Sequence, residues 1–362
     1  MIYVNGRFLL QNQTGVNRFA YELCRAWAVQ GIPFVLCCPP GQIKDCYDTS
    51  GFHIEVSGWG KSHVWEQLSL PLWFCRKKGK KILVCFTGLS PVLTRRKVMT
   101  IHDLAFMANP KWYTRSYVFL YKLLTPLCAA TARRILTVSQ FSKGEIVRRL
   151  SVDGSRISVI PNAVSAAFSA NVPVDAALEA QLKTERYVLA VSSIDPRKNF
   201  AKLLRAFRFV DDLSLKLYIV GGQDSIYATT IAELSEGAPA GRIKWLGRIS
   251  DQALKSYYAH AQSFIYPSLY EGFGIPPLEA MACGAPVIVS AIPPLQEVCQ
   301  DAALYVNPND ERDIADKINR ILRDNNLRNA LIAKGRVRSA AFSWQKSAER
   351  LAEELRDYVQ VP

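Results

Sequence analysis

At 362 residues the chain is long enough for two domains, since single cores stop growing near roughly 250–300 residues. Its 49% hydrophobic and 21% charged residues exclude a disordered chain, and no apolar run reaches the roughly 18 residues that span a bilayer. The net charge of +14 lies wholly in residues 1–165, with 22 basic and 8 acidic side chains against 23 of each in 166–362, which points to a phosphate-bearing or anionic partner.

The chain opens on a predicted strand, Met1 to Val4, without the basic and apolar regions of a signal peptide, so a cytoplasmic protein is expected. Further strands are predicted at 34–37, 82–86, 98–101, 134–138 and 157–160, with helices at 17–30, 117–133 and 141–150. Pro161-Asn162 closes this first domain, 1–165, and 166–184, rich in Ala and Val, reads as a linker. In the second domain, 185–342, strands at 187–193, 215–220, 243–246, 263–266 and 287–290 alternate with helices at 199–207, 227–235, 251–261, 277–283 and 311–324. That alternation means βαβ units and a buried parallel sheet. The tail, 343–362, opens on a strong helix former that is expected to cross back to the first domain. The fold class is therefore α/β, with two Rossmann-like doubly wound domains and a ligand cleft at the carboxyl ends of their strands. Nine cysteines, an odd number without CxxC or Cys/His ligand spacing, read as free thiols, most of them buried.

The densest chemical signal is Pro267-Ser-Leu-Tyr-Glu-Gly-Phe-Gly-Ile-Pro-Pro-Leu-Glu-Ala-Met-Ala-Cys-Gly284, a strand end, a glycine loop and a proline-started helix. Gly272, Phe273, Gly274 and Ile275 offer backbone amides at a helix start, which suits an anionic or hydroxyl-rich ligand. Glu271 and Glu279 flank the loop, placed to hold hydroxyls at two points of one ligand; their plainer reading is a turn cap and a dipole complement. Arg197 and Lys198, read as the start of the next helix, oppose its dipole, which makes sense if a diphosphate fills the gap. Gly221-Gly222 follows a strand and brings a further backbone turn. In the first domain Thr14-Gly15-Val16-Asn17-Arg18 stands between strand and helix, His102-Asp103 ends a strand, and Ser139 to Ser142 starts a helix.

In this order these motifs resemble the retaining glycosyltransferases of family 4, over nearly the whole length. Glu271 to Glu279 matches that family's Glu-x7-Glu element. The resemblance implies a GT-B fold and transfer of a hexose from a nucleoside-diphosphate sugar, with mannose and GDP-mannose the first expectation. The acceptor would be a saccharide or lipid-linked saccharide of a cell-surface polysaccharide such as O-antigen, capsule or exopolysaccharide. It further implies Arg197 and Lys198 on the diphosphate, Glu279 on the ribose, Glu271 on the transferred sugar, Gly15 near the phosphates and His102 near the reacting carbon. The absence of any Asp-x-Asp triplet fits an enzyme with neither metal nor cofactor. Front-face attack by the acceptor hydroxyl is expected, without Glu271 as covalent nucleophile. The basic first half suggests peripheral binding to an anionic membrane, on the inner face of the plasma membrane. Two other readings are a GT-B-fold nucleotide-sugar epimerase and a nucleic-acid-binding protein. The Glu-x7-Glu element argues against the first, and the lack of a nucleic-acid-binding motif beside the basic runs against the second.

Overall fold

A computed structural model describes residues 1–168, 176–222, 239 and 241–358; the helix read at 227–235 lies outside them. The chain divides into two compact units, one of Met1–Met107, Val118–Asn162 and Ser343–Pro362, the other of Ala108–Tyr117 and Ala163–Phe342.

The first unit is built on β1 (Ile2–Asn5), β2 (Phe34–Cys38), β3 (Ile54–Val56), β4 (Ile82–Cys85), β5 (Lys97–Thr100), β6 (Arg134–Thr137) and β7 (Ile157–Val159). They form one parallel sheet in the order β3-β2-β1-β4-β5-β6-β7, with Ile2 opposite both Phe34 and Ile82. Continuous apolar runs make its central strands, because helices cover both faces. The helix Gly15–Val29 follows β1, capped by Thr14, whose side chain accepts from the Asn17 amide. The C-terminal helix Trp344–Glu354 packs on it: Trp27 Nε1 donates to the Ala348 carbonyl at 3.1 Å, and the Phe19 and Trp344 rings meet edge to face. Glu354 ties the same helix to the sheet through Arg134 at 3.0 Å.

The second unit carries β8 (Tyr187–Val191), β9 (Lys216–Val220), β10 (Ile243–Gly247), β11 (Ser263–Tyr266), β12 (Val287–Ser290) and β13 (Ala303–Val306), again all parallel, in the order β10-β9-β8-β11-β12-β13. Its core is made by Val188, Leu217, Ile219, Ile265 and Ile288 from the strands. Against them pack Phe200, Leu203 and Leu204 of the helix Phe200–Ala206, and Ile314, Ile318 and Ile321 of the helix Glu311–Arg323. The segment read as a linker holds a helix, Ala176–Leu182, which buries Leu182 and sets Glu179 3.3 Å from His260. Its Ala-Ala-Leu-Glu-Ala-Gln-Leu sequence is strongly helix-forming, and that propensity outweighs the lack of longer-range pattern.

All nine cysteines are free; Cys46 and Cys75 are exposed, Cys283 is half-buried and the other six are buried. Burial pushes the Cys24, Cys37 and Cys85 thiols far above their usual range, so they act as small apolar side chains.

Candidate active site

In each sheet the strand order reverses once, between β1 and β4 in the first unit and between β8 and β11 in the second. The crevice outside the carboxyl ends of strands at such a switch is where open α/β sheets bind ligands. In the second unit the loop after β8 carries Arg197 and Lys198, and the loop after β11 carries Glu271. The switch point thus brings Glu271 onto an Arg-Lys pair more than seventy positions earlier in the chain.

Their setting begins with Asp195. Its carboxylate accepts from the Arg197 amide at 2.9 Å and from the Ser193 hydroxyl at 3.0 Å, capping a single 3-10 turn, Pro196–Lys198. Asn199 follows at φ 61°, and the helix itself starts only at Phe200. Arg197 and Lys198 therefore precede the first helical turn, and the expectation that they open the helix is corrected. The left-handed Asn199 is secured by its side-chain amide, which donates to the Pro267 carbonyl at 3.0 Å and the Pro308 carbonyl at 2.6 Å. That bond to Pro267 also draws the β11 loop against the β8 loop, as does the Leu269 amide donating to the Arg197 carbonyl at 2.8 Å.

Arg197 Nη1 donates to Glu271 Oε2 at 3.1 Å and to the Tyr270 carbonyl at 3.0 Å. Lys198 Nζ donates to Glu271 Oε1 and to the Tyr266 hydroxyl, each at 2.7 Å. All three charged residues are buried. Burial opposes a charge on Glu271, but Lys198 and Arg197 outweigh it and hold the carboxyl at about 2. Burial and the neighbouring Arg197 lower the Lys198 ammonium, while Glu271 and Asp195 pull it back up. Tyr266 remains a neutral phenol, its pKa raised first by burial and then by Glu271. The array is two buried cations between two buried carboxylates, Glu271 and Asp195, the latter with an oxygen 3.7 Å from Arg197 Nε.

The glycine loop then turns into the helix Ile275–Ala282, entered through Gly274 at φ 109°, where a Cβ would stand 2.5 Å from Leu295 Cδ2. Phe273 is buried against Phe342. Glu279, in the second turn, is buried and accepts from the Tyr258 hydroxyl at 3.2 Å. Glu271 and Glu279 thus have separate partners. At the neighbouring strand end, the Gly221 amide donates to the Gly247 carbonyl, and a Cβ on Gly221 would overlap the Ser192 carbonyl oxygen. Gly221 and Gly222 bring the end of β9 onto the segment leading to Arg197, since Ile194 donates to the Gly222 carbonyl at 2.9 Å.

Gly15 and His102 belong to the first unit. Gly15 is exposed at the start of its helix, and Phe19, one turn on, sets its ring 4.9 Å from the His102 imidazole. His102 Nε2 lies 2.8 Å from the Phe86 carbonyl, which assigns the proton to Nε2 and leaves Nδ1 as an acceptor. Burial lowers its pKa and so favours the neutral ring. Ser142 Oγ donates to the His102 carbonyl at 3.0 Å, fixing the loop.

Asp195, Asn199, Tyr258, Tyr266 and Tyr270 escaped the sequence reading as parts of this site. Asp195-Pro196 carried a visible capping signal and Tyr270 lies inside the Pro267 to Gly284 segment without a role of its own, whereas Tyr258 and Tyr266 lie on runs where nothing distinguishes them from core. Trp112, from the basic half of the sequence, clusters with the second unit, its ring 6.4 Å from that of Tyr270.

Two parallel α/β units, each with one switch point, define the class of doubly wound α/β proteins. Comparison with known proteins gives the family. Residues 13–168 match Glycosyltransferase Family 4 and residues 176–338 match Glycosyl transferases group 1. O-antigen chain mannosyltransferase B of Escherichia coli is 34% identical over 261 residues, 70% of this chain and 68% of that protein. The O-antigen chain mannosyltransferase RfbU of Salmonella typhimurium is 35% identical over 239 residues, 65% of this chain and 64% of its own. Among solved structures, sucrose-phosphate synthase from Thermosynechococcus elongatus superposes with a TM-score of 0.76 at 21% identity, covering 98% of each chain. The chain belongs to the family 4 glycosyltransferases and has the GT-B fold.

Proposed function

We propose that the chain transfers mannose from GDP-mannose to a saccharide or lipid-linked saccharide of a cell-surface polysaccharide, with retention of configuration and without a metal or cofactor. The observation that carries the donor half is the convergence of Arg197 and Lys198 on one carboxylate at the β8–β11 switch point. A diphosphate carries more negative charge than Glu271 and competes for the same two cations, which then neutralise the charge that grows on the leaving group. Glu271 is left to hold hydroxyls of the transferred sugar, with amides from Gly272 to Ile275 beside it. Glu279 holds the ribose, Gly221 brings its backbone turn alongside, Gly15 approaches the phosphates and His102 the sugar. A carboxylate with a pKa of about 2 and both oxygens in ion pairs is a poor base and a poor nucleophile. Front-face attack with the departing phosphate as proton acceptor agrees with that. The names of the two mannosyltransferase relatives support mannose.

On the acceptor side the partner is an anionic membrane surface, on the inner face of the plasma membrane, where lipid-linked acceptors reside. Val64, Leu68 and Leu72, and likewise Phe119, Leu123 and Leu127, are exposed at four-residue spacing on two helical runs. Residues 57–131, which contain both runs, hold 12 basic side chains and only two acidic ones, Glu66 and Asp103. Apolar stripes inside a basic field suit an interface of anionic lipid; nucleic acid is not expected as a partner. Calorimetry with a panel of sugar nucleotides tests the donor. GDP-mannose should bind most tightly, and preference for a uridine or adenosine donor would overturn that assignment.

A further inference from the structure

The carboxyl edge of the first sheet holds a polar cluster that donor binding does not use. Glu66, fully buried in the turn Trp65–Ser69, lies 2.6 Å from Nδ2 of Asn5, the last residue of β1, and 3.5 Å from Arg7 Nη2. Arg7 and Asn5 already compensate a buried carboxylate. Glu66 nevertheless has a third partner: His63 Nδ1 at 3.3 Å. The His63 side chain is 29% exposed, and in the neutral ring its bond to a carboxylate assigns the proton to Nδ1 and leaves Nε2 as the acceptor. Charge compensation alone does not call for a half-buried imidazole held in one tautomer.

The surroundings point to the ligand. The His63 ring meets Tyr121 edge to face at 6.0 Å, and Tyr121 meets Phe106 at 5.8 Å. Phe106 stands in the helical turn Ala105–Ala108, which begins three residues after His102. An aromatic row therefore runs from His63 to the His102 loop within the first unit. Aromatic rings that cover apolar C–H faces, with a few fixed polar groups between them, are what a hydroxyl-rich ligand requires.

We infer that His63 binds a hydroxyl of the acceptor saccharide through Nε2, with Tyr121 as a neighbouring apolar surface and Glu66 as the positioning residue that fixes the tautomer. The inference rests on the glycosyl-transfer reading above and adds the location of its acceptor.

Octyl α-mannoside is the probe, and saturation-transfer NMR on the full chain needs no donor. The wild type should transfer saturation to it and His63→Ala should lose most of that signal, with nucleoside-diphosphate affinity unchanged. Equal signal from both proteins, or none from either, overturns the inference. In turnover with GDP-mannose the same variant should raise the acceptor KM about tenfold, the loss of one hydrogen bond. Nitrogen-15 NMR of the imidazole should show Nδ1 protonated in the wild type and a tautomer shift in Glu66→Gln; an Nε2-protonated ring in the wild type also overturns it. Failure of the wild type to bind any nucleoside diphosphate would instead count against the donor reading.

Discussion

Glu271 is the residue on which Arg197 and Lys198 converge, and its protonation gives an acid-stability signature. Its pKa falls from 4.5 to about 2 on folding, so the stabilisation is present above pH 4.5 and is lost as the pH drops from there towards 2. Denaturant midpoints at pH 6 and pH 3 should show a larger acid loss for the wild type than for Glu271→Gln, the difference being on the order of 2 kcal/mol, since at pH 3 the unfolded carboxyl is protonated and the folded one still largely ionised. Equal losses would mean that the ion pairs do not form. Arg197→Ala should weaken nucleoside-diphosphate binding about 10–100-fold by calorimetry, since a charge-assisted bond is removed. It should also lower stability by about 3–5 kcal/mol, because a buried carboxylate loses one of its partners. Glu279→Gln should weaken the free nucleotide, whereas Glu271→Gln should mainly slow turnover; the opposite pattern would exchange their roles. The identities of these residues were legible in the sequence from the Glu-x7-Glu spacing and the Arg-Lys pair. Their mutual pairing was not, because it depends on which strands become neighbours at the switch point.

Among the elements, the strand–loop–helix unit over 263–282 was readable because each boundary carries its own chemistry: β-rich residues, glycines, then Pro276-Pro277. β3 was missed, having three residues and only partial burial. The helical run over 62–76 was missed as well, since Pro71 and the π-turn at Trp65–Ser69 break the 3.6-residue period by which helices are recognised. The helix at 176–182 was hidden by its own shortness. The ends of β8 and β9 supply a test at this scale. Gly221→Ala places a methyl group on the Ser192 carbonyl and must push the two strand ends apart. We expect lower stability and, through the displaced 192–198 segment, weaker nucleotide binding in calorimetry and thermal melts. A variant with wild-type melting and affinity would show that the close approach is dispensable.

For the whole molecule, charge decides more than hydropathy. No helix among the described residues is long and apolar enough to cross a membrane, yet the entire +14 lies in residues 1–165. Each Lys or Arg near an anionic leaflet contributes about 1 kcal/mol, so a few engaged side chains suffice for measurable binding. Sedimentation with anionic vesicles should retain the protein at low salt and release it as the Debye length falls below roughly 8 Å. Equal partitioning onto neutral vesicles, or none onto either kind, would remove the membrane from the account. The central claim is tested most directly by incubating the protein with GDP-mannose and octyl α-mannoside in EDTA and determining the product's anomeric configuration by NMR. The account predicts GDP release and a new α-mannosidic linkage at an undiminished rate. A β-linked product, a strict requirement for manganese or magnesium, or turnover only with a different sugar nucleotide would contradict it.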